Sequence, residues 1–121
     1  MSENIDEISE LHHSDGMNNI MHKENITKEY LDTAIKLVTG PRSHAYGDKV
    51  INHNNIAKLW GAYLDTNITA HDAAIMLGLL KVARAKFGNP SSDTYIDAAA
   101  YMAIAGECKH KEDNNLSLIH I

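Results

Sequence analysis

The chain has one cysteine, Cys108, in 121 residues. A lone thiol cannot build an intramolecular disulfide framework and fits a reducing compartment. Positive charge is not in excess: 11 Lys and Arg stand against 16 Asp and Glu, a formal net charge of −5. That balance argues against a nucleic-acid partner held by phosphate neutralisation. No apolar run approaches the roughly 20 residues that cross a bilayer. The N-terminus lacks the basic start and apolar stretch of a secretory signal. Strand-type alternation and internal repeats are missing as well. These absences point to a soluble, cytoplasmic, all-α protein with no membrane partner and no nucleic-acid partner.

Several catalytic signatures are also absent. There is no Gly-rich loop ending in Lys-Ser/Thr, no His-Glu-x-x-His pair and no Cys/His cluster at zinc spacing, although the chain has eight histidines. No serine elbow and no cysteine-nucleophile setting is present; Cys108 reads as packing or a frayed helix end.

The negative charge is confined to one end. Residues 1–25 hold Glu3, Asp6, Glu7, Glu10, Asp15 and Glu24 against Lys23 alone, so the helical remainder is neutral overall. This segment reads as a disordered acidic leader, with a short recruited helix at Ile5–Leu11 as the alternative. Residues 111–121 read as a disordered tail. The last six, Leu116 to Ile121, resemble read-through from a sequencing adapter and are set aside from the fold.

Between these ends, residues 26–110 read as a helical domain of about four helices. Helix one is expected over Lys28–Thr39, capped by Thr27, with Leu31, Ala34, Ile35 and Val38 on one face. Gly40 and Pro41 stop it. Helix two is expected over Lys49–Leu64, with Asn52, His53, Ile56, Leu59, Trp60 and Tyr63 on its buried stripe. Helix three, Ala70–Phe87, carries a Thr69–Asp72 capping box and is apolar nearly all round, which predicts a central, buried position. Gly78 in its middle costs about 1 kcal/mol against Ala unless a neighbour comes close. Helix four, Asp93–Cys108, is rich in alanine, which allows close packing. The connections are short, as between antiparallel neighbours of a bundle. A core this small is often marginal alone, so a homo-oligomer joined through helices three and four is expected.

The residues able to carry chemistry fall into three groups. Asp93 and Asp97 are four apart at the start of helix four, hence on one face. They read either as helix-start acids facing solvent or as hard oxygen ligands for Mg²⁺. Tyr101 continues that face. Lys81 and Arg84 are neighbours on helix three and suit a phosphate clamp, or else an ion pair and a snorkelling stem. Arg42, Tyr46 and Asp48 surround Gly47 in the first loop, where Asp48 is at least as good an N-cap as a ligand group. Asn52 on the buried stripe would need partners. The order His53, His71-Asp72, Asp97 echoes the metal ligands of HD-type phosphohydrolases, although His-Asp at a helix start is also ordinary capping chemistry.

Taken together, Leu37-Val38-Thr39-Gly40-Pro41-Arg42, Tyr46-Gly47-Asp48, Asn52, Ile56-Ala57-Lys58-Leu59-Trp60, Leu79-Leu80-Lys81-Val82-Ala83-Arg84 and Asp93 with Asp97-Ala98-Ala99-Ala100-Tyr101 resemble a small domain family of unknown function. That family is frequent in bacteriophages and their hosts, and the likeness covers roughly residues 30–107. If the chain is phage-encoded, its compartment would be the host cytoplasm. The family's shape is similar to the all-α nucleoside triphosphate pyrophosphohydrolases of the MazG type. That resemblance implies Mg²⁺ as cofactor and a nucleotide as substrate. It implies Asp93, Asp97 and Asp72 as metal ligands, with Asp97 catalytic, and Arg42, Tyr46, Asp48, Asn52, Lys81, Arg84 and Tyr101 around the substrate. The enzymes' Glu-x-x-Glu pair has no counterpart on helix two, and helix four offers Asp-x-x-x-Asp in place of Glu-x-x-Asp. Three functions are therefore expected to compete: a pyrophosphohydrolase-like enzyme, a protein that sequesters a nucleotide signal without cleaving it, and a structural or partner-binding bundle recruited by its acidic leader.

Overall fold

A computed structural model describes residues 25–40 and 48–120, with side chains described as far as Asn114. The described residues form four helices and no strand: α1 (Ile26–Thr39), α2 (Lys49–Leu64), α3 (Ala70–Phe87) and α4 (Ser92–His120). The all-α reading therefore holds. The most extensive contact is between α3 and α4; α1 lies mainly on α4 and α2 mainly on α3. The expected leader, residues 1–24, lies outside the described residues, as does the 41–47 loop with Arg42 and Tyr46. No helix among the described residues is long and apolar enough to cross a membrane.

The core is made of small side chains. One cluster joins Ala70, Ala74, Ile104, Ala105 and Cys108 and is covered by Val38, Val50, Ile75 and Tyr101. A second joins Ala34, Ile96 and Ala100, covered by Tyr30, Leu37, Val38 and Ala99. Alanines at these positions let the helix axes approach, so α3 buries Ala70, Ala73, Ala74 and Gly78. The same choice leaves its large residues Met76, Leu79, Leu80, Val82 and Phe87 turned outward. Helix three is thus central in contacts, yet its bulky apolar side is not buried.

The buried stripes of α1 and α2 are turned from those the periodicity suggests. On α1 the residues facing α4 are Tyr30, Ala34, Leu37 and Val38, while Leu31 and Ile35 are exposed. The apolar band is wider than one neighbour can cover, and the Tyr30–Tyr95 stack, with ring centroids 6.4 Å apart, orients the helix. On α2 the buried residues are His53 and Ala57; Leu59 and Tyr63 are 72% and 88% exposed, and Asn52 is exposed. Gly61 explains the turn. A Cβ there would stand 2.7 Å from the Thr66 carbonyl oxygen, so the side carrying Gly61 is the one that can meet the connection to α3.

Helix ends follow local chemistry. Asp48 caps α2 by accepting from the N–H groups of Val50 (2.7 Å) and Ile51 (3.1 Å). The capping box of α3 is complete: Asp72 N–H donates to the Thr69 hydroxyl and Thr69 N–H donates to the Asp72 carboxylate, both at 3.0 Å. Helix α1 begins one residue before Thr27, with Asn25 at the N-cap position and no side-chain cap. Helix α4 does not end near Cys108 and leave residues 111–121 as a tail; it continues to His120. No Gly or Pro interrupts that stretch, and pairs one turn apart support it: Lys111–Glu107 and Lys109–Asp113, each 3.5 Å, and Asn114–His110.

Candidate functional site

The expected site residues separate into two groups along α4. The first lies where α3 ends and α4 begins. Lys81 Nζ sits 2.8 Å from Asp97 Oδ2, with both side chains half-buried or less exposed. Arg84 is one turn further along α3 and exposed, and Asp93 is one turn before Asp97 and exposed. Tyr101, one turn after Asp97, is partly buried, and its Cβ lies 3.7 Å from where a side chain on Gly78 would begin. Gly78 thus faces this part of α4 across the α3–α4 contact.

His53 joins this group from α2. Its ring meets Tyr101 edge-on at a centroid distance of 6.3 Å. Nδ1 lies 2.7 Å from the Lys49 carbonyl oxygen, which can only accept, so Nδ1 carries the proton. Nε2 is buried and has no hydrogen-bond partner among the described residues. A buried polar atom in that condition is uncommon. His53 was marked in the sequence by its place on the apolar stripe of helix two; its neighbour Tyr101 was not evident as its partner.

The second group lies at the other reach of the bundle. Lys49 donates to the Val38 carbonyl at 3.2 Å and stands 3.9 Å from Glu107, clipping α1, α2 and α4 together. Asp48 feels the charges of Lys111 and Lys49, and its own charge reaches Cys108. Residue 108 is about 17 Å along α4 from Asp97 at the standard helical rise. Arg42 and Tyr46 lie outside the described residues. Asp72 is also remote: it is nine residues, about 14 Å of helix, from Lys81. Its carboxylate is held in the capping box.

Electrostatics follow these contacts. The Asp48 carboxyl is held below its ordinary value, first by the Ile51 N–H and then by the Val50 N–H. Burial pushes the Cys108 thiol up, with the Glu107 and Glu112 charges adding to it. Among the described residues, no three His, Cys, Asp or Glu side chains converge as a metal-ligand set would. In particular the triad Asp93, Asp97 and Asp72 is not assembled, nor is the set His53, His71-Asp72, Asp97. An apolar cleft of about 290 Å³ lies between α1 and α4, lined by Leu31, Ala34, Ile35, Val38, Ala99, Ala100 and Ala103. It contains none of the expected site residues.

Comparison with known proteins covers the same helical part. The family described as a domain of unknown function (DUF6378) matches residues 29–109. The "Gene 55 protein" of Mycobacterium phage L5 is 39% identical over 84 residues, which are 69% of this chain and 54% of that protein. The "Gene 55 protein" of Mycobacterium phage D29 is 33% identical over 76 residues, 63% of this chain and 50% of that protein. The chain thus spans about half the length of these relatives. No solved structure matches it. The Lys81–Asp97 bridge, the cap at Asp48 and the whole of α2 and α3 lie within the matched span, and the chain belongs to the DUF6378 family, a domain shared with phage proteins.

Proposed function

We propose that the domain binds a nucleotide or a nucleotide-like phosphorylated small molecule where α2, α3 and α4 meet, and holds it without cleaving it. The observation that carries this reading is the Lys81–Asp97 pair at 2.8 Å with Arg84 exposed one turn away. A cation paired with one carboxylate, with a second cation one turn along the same helix, can accept an anion: phosphate oxygens would replace Asp97 as the partner of Lys81, and the guanidinium of Arg84 would add bidentate contacts. The Tyr101 hydroxyl, one turn after Asp97 on α4, is a polar group that can donate beside the phosphates. A hydrolase of the MazG kind gathers several carboxylates around its metal. Here Asp72 is committed to a capping box and Asp48 to an N-cap, each far from Asp97 along its helix. Mg²⁺ fits only in a reduced form, on Asp93 and Asp97 together with the ligand's own phosphate oxygens. A phage accessory protein that withdraws a nucleotide signal from its host would have this build.

The test is a panel of nucleoside mono-, di- and triphosphates, with and without Mg²⁺, read by thermal shift and by pyrophosphate release. Sequestration predicts a stabilising shift that Lys81→Met and Arg84→Ala remove, with no release. Turnover that disappears in Asp97→Asn would replace this reading with a pyrophosphohydrolase. A flat response in both readouts would leave a structural, partner-binding bundle.

A further inference from the structure

The outward side of α3 has an order that its apolar content alone does not require. At 100° per residue, the face opposite the buried Ala70, Ala73, Ala74 and Gly78 is formed by Asp72, Met76, Leu79, Val82, Ala83 and Lys86, with Ile75 at its edge, partly buried where it also covers the core cluster. Asp72, Ile75, Leu79, Val82 and Lys86 are spaced as alternating a and d positions of a heptad seam. Leu79 and Val82 are 59% and 54% exposed, so nothing among the described residues covers the middle of it. The single acid of this helix is in its first turn and its bases are toward its end. Asp72 and Lys86 are each seven residues from Leu79.

This face is therefore complementary to itself when reversed. We propose that two copies of the chain dimerise through α3, antiparallel, with the two-fold axis at Leu79. Leu79 then packs on its counterpart, and Val82 of each copy lies on the same side of the seam as Ile75 of the other. Lys86 of each copy faces Asp72 of the other, whose Oδ1 is not used in the capping box. Antiparallel pairing also sets the helix dipoles against each other favourably. A parallel pairing would place like charges together at both ends. The seam runs about 21 Å from Asp72 to Lys86, and burying it in both copies removes on the order of 1,000 Å², where specific interfaces begin. Lys81 is turned to Asp97 on α4, away from this seam, so dimerisation and ligand binding use different sides of α3.

The full chain should sediment as a monomer–dimer equilibrium. Leu79→Glu, which places two acids on the axis at an exposed position, should weaken association by about tenfold or more while leaving the helical signal and melting transition of the monomer intact. Leu79→Cys should form an intermolecular disulfide on mild oxidation, because the axis brings residue 79 next to itself, and Leu59→Cys on α2 should not. A chain that stays monomeric at high concentration overturns the proposal. So does a dimer that is insensitive to Leu79→Glu and does not crosslink at position 79, since it must use another face, such as the α1–α4 cleft.

Discussion

Lys81 on α3 and Asp97 on α4 form an ion pair of 2.8 Å across the most extensive helix contact in the domain. Both groups were read from the sequence as separate functional candidates; the fold makes them partners. Their side chains are 19% and 32% exposed, so the pair is partly shielded from solvent. A double-mutant cycle of Lys81→Met and Asp97→Asn should give a coupling of about 1 kcal/mol, at the upper end for accessible pairs. Chemical denaturation of the four variants measures it. A coupling near zero would mean that the pair is held by the packing around it and not by its charges.

The cap at Asp48 makes a pH prediction. Its carboxyl is held below the ordinary value of 3.8 by two backbone N–H groups. A lowered folded value means that the stabilisation is complete above 3.8 and is lost as pH falls through the lower folded value. Asp48→Ala should therefore melt below the parent at neutral pH, and the gap should narrow on acidification below the ordinary value. Melting curves of both proteins across that range test it; a gap that persists in acid would place the effect in the side chain's packing.

Two glycines in helix interiors should be replaceable. A Cβ on Gly78 would meet the Met102 sulfur and the Tyr101 Cβ at 3.7 Å, ordinary contact distances. At Gly106 it would meet nothing within 4 Å. Gly78→Ala and Gly106→Ala should each stabilise the fold by about 0.5–1 kcal/mol through helix propensity. Gly61→Ala should do the opposite, because the Thr66 carbonyl stands 2.7 Å from its Cβ. Urea midpoints of the three variants would sort them.

Cys108 should be chemically silent in the native state. It is 1% exposed and its thiol is shifted upward by burial. Reaction with an aromatic disulfide reagent at neutral pH should proceed only as fast as the packing around Cys108 opens, and become immediate in denaturant. Prompt labelling of native protein would show that the contact of α2 and α4 around Val50 and Cys108 is loose.

Much of the fold could be read from local signals. The Thr69–Asp72 box, the cap at Asp48 and the stop at Gly40 are short-range hydrogen-bond chemistry, and they appear where the residues placed them. The faces were harder to read. Leu59 and Tyr63 carry an apolar stripe that nothing among the described residues covers, because Gly61 turns the helix to present His53 and Ala57 instead. Residues 111–120 lack an apolar period but keep helical form through ion pairs one turn apart.

What the residues determined alone is the class and part of the punctuation: four helices, the caps of α2 and α3 and the neutrality of the helical part, because these depend on neighbours within a turn or on simple counts. Which candidates share a site was decided only by the tertiary structure. Asp93, Asp97, Asp72 and Asp48 are equally plausible carboxylates in one dimension. Packing of alanine and glycine between α3 and α4 brings Asp97 to Lys81 and leaves Asp72 and Asp48 at the far end as caps. Helix rise and crossing set those distances, and neither depends on the identity of the acid.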